Sequence, residues 1–377
     1  RDLHSFPTRR SSDLYSSGLS DGAHKFEVRA IDNAANADGS AASFEWVVDT
    51  TPPAVQVDSG PIELTNDPTP TFAFSSEPGA SFECSIDTGT PDFKACSGAG
   101  SHTPSNPLAD GPHSFRVRAT DAAGNQATAT RSFEVDTAAP QAPELTATVP
   151  ASPASDNSPK VIGTASADTT IRLYASADCT GSPVATVTAV ELEAGITVSV
   201  PADSATSFSA TATTAAANTS GCSEPIAYVE DSSAPGTSIS THPATLVNVA
   251  TASFSFTGED GSGSGVNGFQ CRLDSTAPGA WASCSSAKEY TGLADGSHSF
   301  EVRALDKAGN ADQSAATFAW TVDTTAPATT IDSGPASISA SATAKFEFSA
   351  TDGSGSGIAS YQCRRDAEDW TPCTSHE

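Results

Sequence analysis

The sequence predicts an all-β protein organised as a tandem array of β-sandwich domains. Three observations carry the prediction. One stretch recurs, as DGAHKFEVRAIDNAAN (21–36), DGPHSFRVRATDAAGN (110–125) and DGSHSFEVRALDKAGN (295–310). His24 and His113 lie 89 residues apart, and His113 and His298 lie 185 apart, about twice that. Such a period is too long for a solenoid repeat and marks whole domains in series. Within the stretch, His113, Phe115, Val117 and Ala119 alternate with Ser114, Arg116 and Arg118, the period of two of a half-buried antiparallel strand. Gly, Pro, Ser, Thr and Asp interrupt the chain about every eight to twelve residues, the spacing of short strands in a sandwich, and no window carries a helical stripe.

Taken in chain order, the first segment stands apart. HSFPTRRSSDL (4–14) holds an arginine pair, but no apolar run follows as an export signal requires. It resembles the conceptual translation of a sequencing adapter, so residues 1–14 are expected to be non-native and are excluded from fold reasoning. Residues 15–50 then read as the C-terminal part of a repeat, with Phe26, Val28 and Ala30 on one face. A full repeat is expected over 53–137, with strands TFAFS (71–75), SFECSID (81–87) and 113–120. A divergent repeat follows over 141–231, in which Phe208, Ala210 and Ala212 keep the alternation. Another full repeat covers 236–323, with SFSFT (253–257) and GFQCRLD (268–274). The last, 328–377, has KFEFS (345–349) and SYQCRRD (360–366) and ends before its own DGxH strand, so it reads as an N-terminal part. Each unit closes on an apolar strand, an acid, small hydroxyl residues and a proline: VVDTTPP, FEVDTAAP, YVEDSSAP and TVDTTAP. Such linkers are short and stiffened.

Composition restricts the function. The 377 residues include 45 acidic against 18 basic side chains, a net charge of −27 that repels nucleic acid and anionic lipid. Setting residues 1–14 aside removes three Arg and two Asp and makes the chain one unit more acidic. No apolar run is long enough to span a membrane. Methionine is absent, and the chain reads as an internal fragment.

The eight cysteines fall two to a unit: Cys84 with Cys96, Cys179 with Cys222, Cys271 with Cys284, and Cys363 with Cys373. Eight allow 105 pairings in principle, but the repeat boundaries leave this choice. Three of the pairs close loops of about a dozen residues, worth roughly 3 kcal/mol each in the chain-entropy account and useful to a small core. Zinc is the rival, and it lacks both CxxC spacing and accompanying histidines. Disulfides imply an oxidising, exported location.

These motifs together resemble bacterial Ig-like repeats of large secreted or surface proteins, of the kind common in actinobacteria. The resemblance rests on Phe82-Glu-Cys84-Ser-Ile-Asp87, on Leu108-Ala-Asp110 through Asn125, and on Val322-Asp-Thr-Thr-Ala-Pro327, and it covers nearly everything after residue 15. It implies Ig-like sandwiches of a seven-strand type, extracellular placement, a stalk or adhesive role, and no catalytic residues. The 141–231 unit departs from the pattern, with Thr214 and Ala217 where Asp121 and Gly124 stand and cysteines much farther apart.

Several residues invite chemistry. His24, His113 and His298 belong to different domains and read as strand residues bonded near the preceding Asp-Gly turn. Arg29, Arg118 and Arg303 face outward and are expected to pair with acids on a neighbouring strand. The glycine loops GEDGSGSGVNG and TDGSGSGIAS lack the Gly-Lys-Ser/Thr ending of a phosphate cradle. Calcium is the serious cofactor candidate, with oxygen ligands from Asp121, Asp136, Asp260 and Asp352. Against it, the acid is replaced at Thr214, and an Asp-x-x-Gly-Asn turn is already explained by hairpin geometry.

The expectation is therefore a non-enzymatic extracellular spacer or adhesin segment. Its partners would be neighbouring Ig-like domains of the same chain, with protein or glycan ligands bound elsewhere. A ten-residue strand spans about 33 Å, so the array is expected to extend on the order of 100 Å or more. The alternatives are a calcium-dependent adhesin and an accessory region of a secreted hydrolase. In the latter, Trp46, Trp281, Trp320 or Trp370 would meet sugar. Trp46 and Trp320 share the register of Phe133, a core position, and Trp281 and Trp370 sit where they would cover a cystine.

Overall fold

A computed structural model describes residues 18–87 and 89–374; the adapter-like segment 1–14 lies outside the described residues. Chain contacts divide the molecule into two compact units. One holds the described residues up to Gln141 together with Ala212–Ser220, and the other holds Ala142–Thr211 and everything from Gly221 onward.

The first unit opens on a hairpin, Gly22–Val28 against Ala42–Val48, with His24 opposite Trp46 and Phe26 opposite Phe44. A sandwich follows. Its larger sheet is built on Gly111–Thr120, paired antiparallel with Gln126–Val135 on one side and Ser81–Ile86 on the other. The smaller sheet joins Gln56–Ser59, Phe72–Ser75 and Ser101–His102. Alternation places Phe115, Val117 and Ala119 wholly inside; Phe115 and Val117 join one core cluster with Phe72 and Phe74 from the smaller sheet and Phe133 and Val135 from the neighbouring strand of their own. Phe72 stacks on Phe115 with ring centroids 4.2 Å apart. Each such ring contributes about 1.5–3 kcal/mol on burial.

Among the described residues the 53–137 sandwich has eight strands, three facing five, where the resemblance implies seven. The extra one arises because the first strand changes sheets. Gln56–Ser59 pairs in the smaller sheet, the chain breaks at Gly60-Pro61, and Leu64–Thr65 runs parallel to the last strand in the larger one. Gly60 has a φ of +130°, and a Cβ there would lie 2.4 Å from the Phe72 ring. Only glycine brings the backbone that close to the core.

In the second unit, the sandwich from Gly236 repeats this plan strand for strand, its larger sheet running Leu246–Val247, Ala316–Val322, Gly296–Asp306, Val266–Leu273, Ala282–Cys284. Phe254 stacks on Phe300 at 4.1 Å, and Trp320 fills the position of Phe133 at 2% exposure. The divergent repeat has a three- and a four-stranded sheet. It also holds a short α-helix, Ala189–Ala194, that the absence of a helical stripe did not foretell. Thr188 and Glu191 form a reciprocal capping box, and Leu192 is fully buried. A capping box satisfies two otherwise orphaned donors, which lets so short a helix persist beside a core.

All four cysteine pairs are disulfides, each inside the usual range of Cα–Cα distance. Cys84 joins Cys96 at 5.1 Å, Cys179 joins Cys222 at 5.8 Å, and Cys271 joins Cys284 at 5.8 Å. In the last repeat Cys363 joins Cys373 at 5.7 Å, stapling the paired strands Tyr361–Cys363 and Thr371–Cys373.

Candidate functional site: the interdomain junctions

The recurrent hairpin turn is built by its own acid. Asp121 Oδ1 accepts from the Ala123 and Asn125 amides at 2.9 and 2.8 Å, and Oδ2 accepts from Asn125 Nδ2 at 2.9 Å. Burial works against its charge, but the Asn125 carboxamide and the backbone donors more than offset this and hold its pKa below the ordinary range. Both oxygens are thus engaged in the turn. Asp32 and Asp306 repeat the arrangement. In the divergent repeat the Thr214 hydroxyl takes over the acceptor role for Asn218. Gly124 has a φ of +95°, and Ala35 and Ala217 adopt +68° and +69° at the same position.

The terminal asparagine also reaches beyond its own domain. Asn125 Nδ2 donates to the Asp49 carbonyl at 2.9 Å, Asn218 Nδ2 to the Asp136 carbonyl at 2.7 Å, and Asn310 Nδ2 to the Asp231 carbonyl at 2.8 Å. Each acceptor is the aspartate of a preceding linker.

The hydroxyl residues of the linkers are bound by the aspartate just before the preceding domain's long strand, which is the DGxH strand in all but the divergent repeat. Asp21 accepts the Thr50 amide at 2.9 Å and the Thr50 and Thr51 hydroxyls at 2.8 and 2.7 Å. Asp110 accepts the Thr137 amide and hydroxyl at 2.9 and 2.8 Å. Asp295 binds Thr324 and Thr325 in the same way, and Asp203 binds Ser232 and Ser233. The Thr51, Ser233 and Thr325 hydroxyls respectively lower the pKa of Asp21, Asp203 and Asp295, with the preceding Thr or Ser adding to each. The Asp–Thr/Ser–Thr/Ser linker pattern is therefore a capping pattern.

Among the calcium candidates, the structure brings Asp260 together with two acids outside that set, Asp231 and Asp306. One carboxylate oxygen from each lies within 4.8 Å of the others. Asp231 and Asp306 are each 1% exposed. Asp260 Oδ2 accepts the Gly265 amide at 2.6 Å and Asp231 Oδ2 accepts the Ser264 amide at 2.6 Å, while Asp260 Oδ1 is buried without a partner. Burial raises the Asp260 pKa; the Gly265 bond opposes this, and the charges of Asp231 and Asp306 add to the rise. Asp352 stands in the matching glycine loop, where Gly357 donates to it and Ser356 donates to the linker acid Asp323. Asp136 accepts the Ala138 amide in its own linker. Asp121 and Asp136 do not join the trio.

The remaining candidates have structural partners. His24, His113 and His298 each bond through Nε2 to the carbonyl four residues back, at Ser20, Ala109 and Ala294. Arg118 pairs with Glu83 directly across the strand pair, but Arg303 meets the Gln270 carboxamide instead of an acid, since glutamine stands at the corresponding cross-strand position. Arg29 is exposed. Trp281 lies over the guanidinium groups of Arg272 and Arg303, at 4.4 and 4.5 Å, and Trp370 over Arg364 at 4.7 Å. Phe93 covers Arg118 likewise at 4.3 Å. Phe93, Trp281 and Trp370 each stand three residues before the second cysteine of a pair, Cys96, Cys284 and Cys373 respectively, and they cap arginines.

No curated protein matches the chain. Among solved structures, similarity extends to a tetra-tandem repeat from the extending region of a large adhesion protein, with 18% identity over 82% of this chain and 84% of that one, at a TM-score of 0.30. A 1.5-MDa bacterial ice-binding adhesin matches at 16% identity over 73% and 99%, with a TM-score of 0.31. The FN1–FN3 domains of chicken CNTN1 match at 12% identity over 72% and 98%, also at 0.31. The family finding is more local: residues 53–137 match the bacterial Ig-like domain family.

Proposed function

We propose that the chain is a spacer of an exported bacterial protein, in which Ig-like sandwiches are held in series by bonded junctions. The observation that carries this reading is the junction itself, where linker residues are bound by side chains from both flanking domains. Disulfides in each downstream repeat and the acidic surface suit an oxidising extracellular setting. Small-angle scattering tests the reading. A compact chain of this length has a radius of gyration of about 21 Å; a spacer gives a clearly larger value, and a result near the compact one overturns the proposal.

A second reading, calcium-dependent stiffening, is favoured by the Asp231–Asp260–Asp306 trio. Three carboxylates this close, two of them buried, repel one another unless a cation or proton intervenes. The expected outcome is that millimolar calcium raises the melting temperature of the wild-type chain and leaves Asp260→Asn unmoved. Without calcium, Asp260→Asn is expected to be the more stable at neutral pH. Identical melts of the wild type with calcium and with chelator would remove this reading.

A further inference from the structure

We propose that a single peptide group at each of three junctions is an orientation clamp between successive domains, its carbonyl held by an asparagine side chain. The Asp49 carbonyl that receives Asn125 and the Thr50 amide that binds Asp21 belong to the same peptide group. The same holds for Asp136–Thr137, held by Asn218 and Asp110, and for Asp231–Ser232, held by Asn310 and Asp203. In each case the N–H side is held by the preceding repeat and the C=O side by the following one.

A peptide group is rigid and planar. Fixing both of its ends therefore fixes the plane relative to two domains at once, without an ion. A proline two or three residues later, at Pro52, Pro140 or Pro235, restricts the chain beyond it.

The donor is suited to the task. A carboxamide nitrogen carries two hydrogens. In Asn125 and Asn310 one goes to the turn carboxylate, at 2.9 and 2.7 Å, and the other to the linker carbonyl. Aspartate has no such donor, and glutamine is one methylene longer. In the divergent repeat the turn acid and glycine are both replaced, at Thr214 and Ala217, yet the Asn218 bond to Asp136 is kept at 2.7 Å. Of the two carboxamide bonds, the one to the linker is therefore kept where the turn carboxylate that receives the other has been replaced.

The clamp deepens the spacer reading and rests on it for its use, but the two fail separately. The test uses the full chain with Asn125→Ala, Asn218→Ala and Asn310→Ala combined, followed by site-resolved amide hydrogen exchange. The amides read are those of Thr50, Thr137 and Ser232, none of which bonds to the asparagines. Loss of one neutral hydrogen bond of typical strength is expected to speed their exchange about five-fold. A role confined to the turn would instead speed exchange at 121–125 and 306–310 and leave the linker amides at wild-type rates, which overturns the clamp. Asn125→Asp keeps the shape and removes the donor; it is expected to accelerate Thr50 alone, and unchanged Thr50 exchange also overturns the proposal. Asn36→Ala, which disturbs only the bonds to Asp32, is expected to leave all three linker amides unchanged. Compact scattering with protected wild-type linkers would remove the spacer reading and leave the clamp standing.

Discussion

At the scale of single residues, the turn shows how one backbone position tolerates a substitution at a cost. Ala217 holds a φ of +69°, where Gly124 and Gly309 hold +95° and +96°. An L-residue in the left-handed region costs about 1–2 kcal/mol, partly offset by the roughly 0.4–1 kcal/mol that glycine loses through its freer unfolded chain. Ala217→Gly is therefore expected to stabilise the divergent repeat by up to about 1 kcal/mol in denaturant titration, and Gly124→Ala to destabilise its repeat by a similar amount. Gly124 has open space around it, so the second change isolates the backbone term.

The carboxylates that bind the linkers make a second residue-scale prediction, on acid response. Asp21, Asp203 and Asp295 have pKa values held below the ordinary 3.8 by hydroxyl and amide donors. A depressed folded value contributes stability above the unfolded pKa that is lost as pH falls through the folded one. Asp260 is shifted the other way, so its ionised form weakens the fold and protonation relieves it. Acidification from neutral pH without calcium is thus expected first to raise the melting temperature of the 236–323 repeat, then to lower it below about pH 4. A monotonic fall that is identical in Asp260→Asn would contradict this order. The turn donors were readable from the sequence, because Asp and Asn at fixed spacing are local partners. The clamp was not, because each asparagine binds a main-chain carbonyl 76 to 82 residues away, and a backbone acceptor leaves no residue-type signature. The acid trio was only one-third visible for a related reason: Asp260 stands out in a glycine loop, whereas Asp231 and Asp306 read as linker and turn.

At the scale of elements, alternation located the long strands because burial acts on every second residue. It missed the short ones, Leu64–Thr65 and Lys94–Ala95, which at two residues carry no period. It also missed Ala189–Ala194, whose signal was the Thr188-x-x-Glu191 box and not a stripe. Thr188→Ala is expected to cost about 1 kcal/mol through loss of that cap, read by denaturant titration. The hairpins stapled by Cys84–Cys96 and Cys271–Cys284 carry a second support on their outer face, the aromatic lying over arginine. Trp281→Ala removes two cation–π contacts at a half-exposed site and is expected to lower the stability of its repeat by about 1–2 kcal/mol. A loss below the error of the titration would mean that the ring merely rests on the sheet.

At the scale of the whole molecule, the cores are separate. Phe72, Phe115 and Phe133 close one cluster, and Phe254, Phe300 and Trp320 close another. Bonds that bridge the junctions are few and polar, each worth about 1 kcal/mol, far less than a core. Cooperativity is therefore expected to stop at the domain boundary, and the chain to melt in several overlapping transitions, with a van't Hoff enthalpy clearly below the calorimetric one. Reduction sharpens the prediction, because the four disulfides close loops of unequal length. The Cys179–Cys222 bridge spans 43 residues and the other three span 10 to 13. In the chain-entropy account the long loop is worth about 4 kcal/mol and the short ones about 3 kcal/mol each. A reductant is then expected to move the divergent repeat's transition furthest, provided its small core of Ile171, Leu173, Phe208 and Tyr228 still folds. Equal enthalpies and one sharp transition, before and after reduction, would show instead that the junctions couple the domains far more strongly than their hydrogen bonds allow.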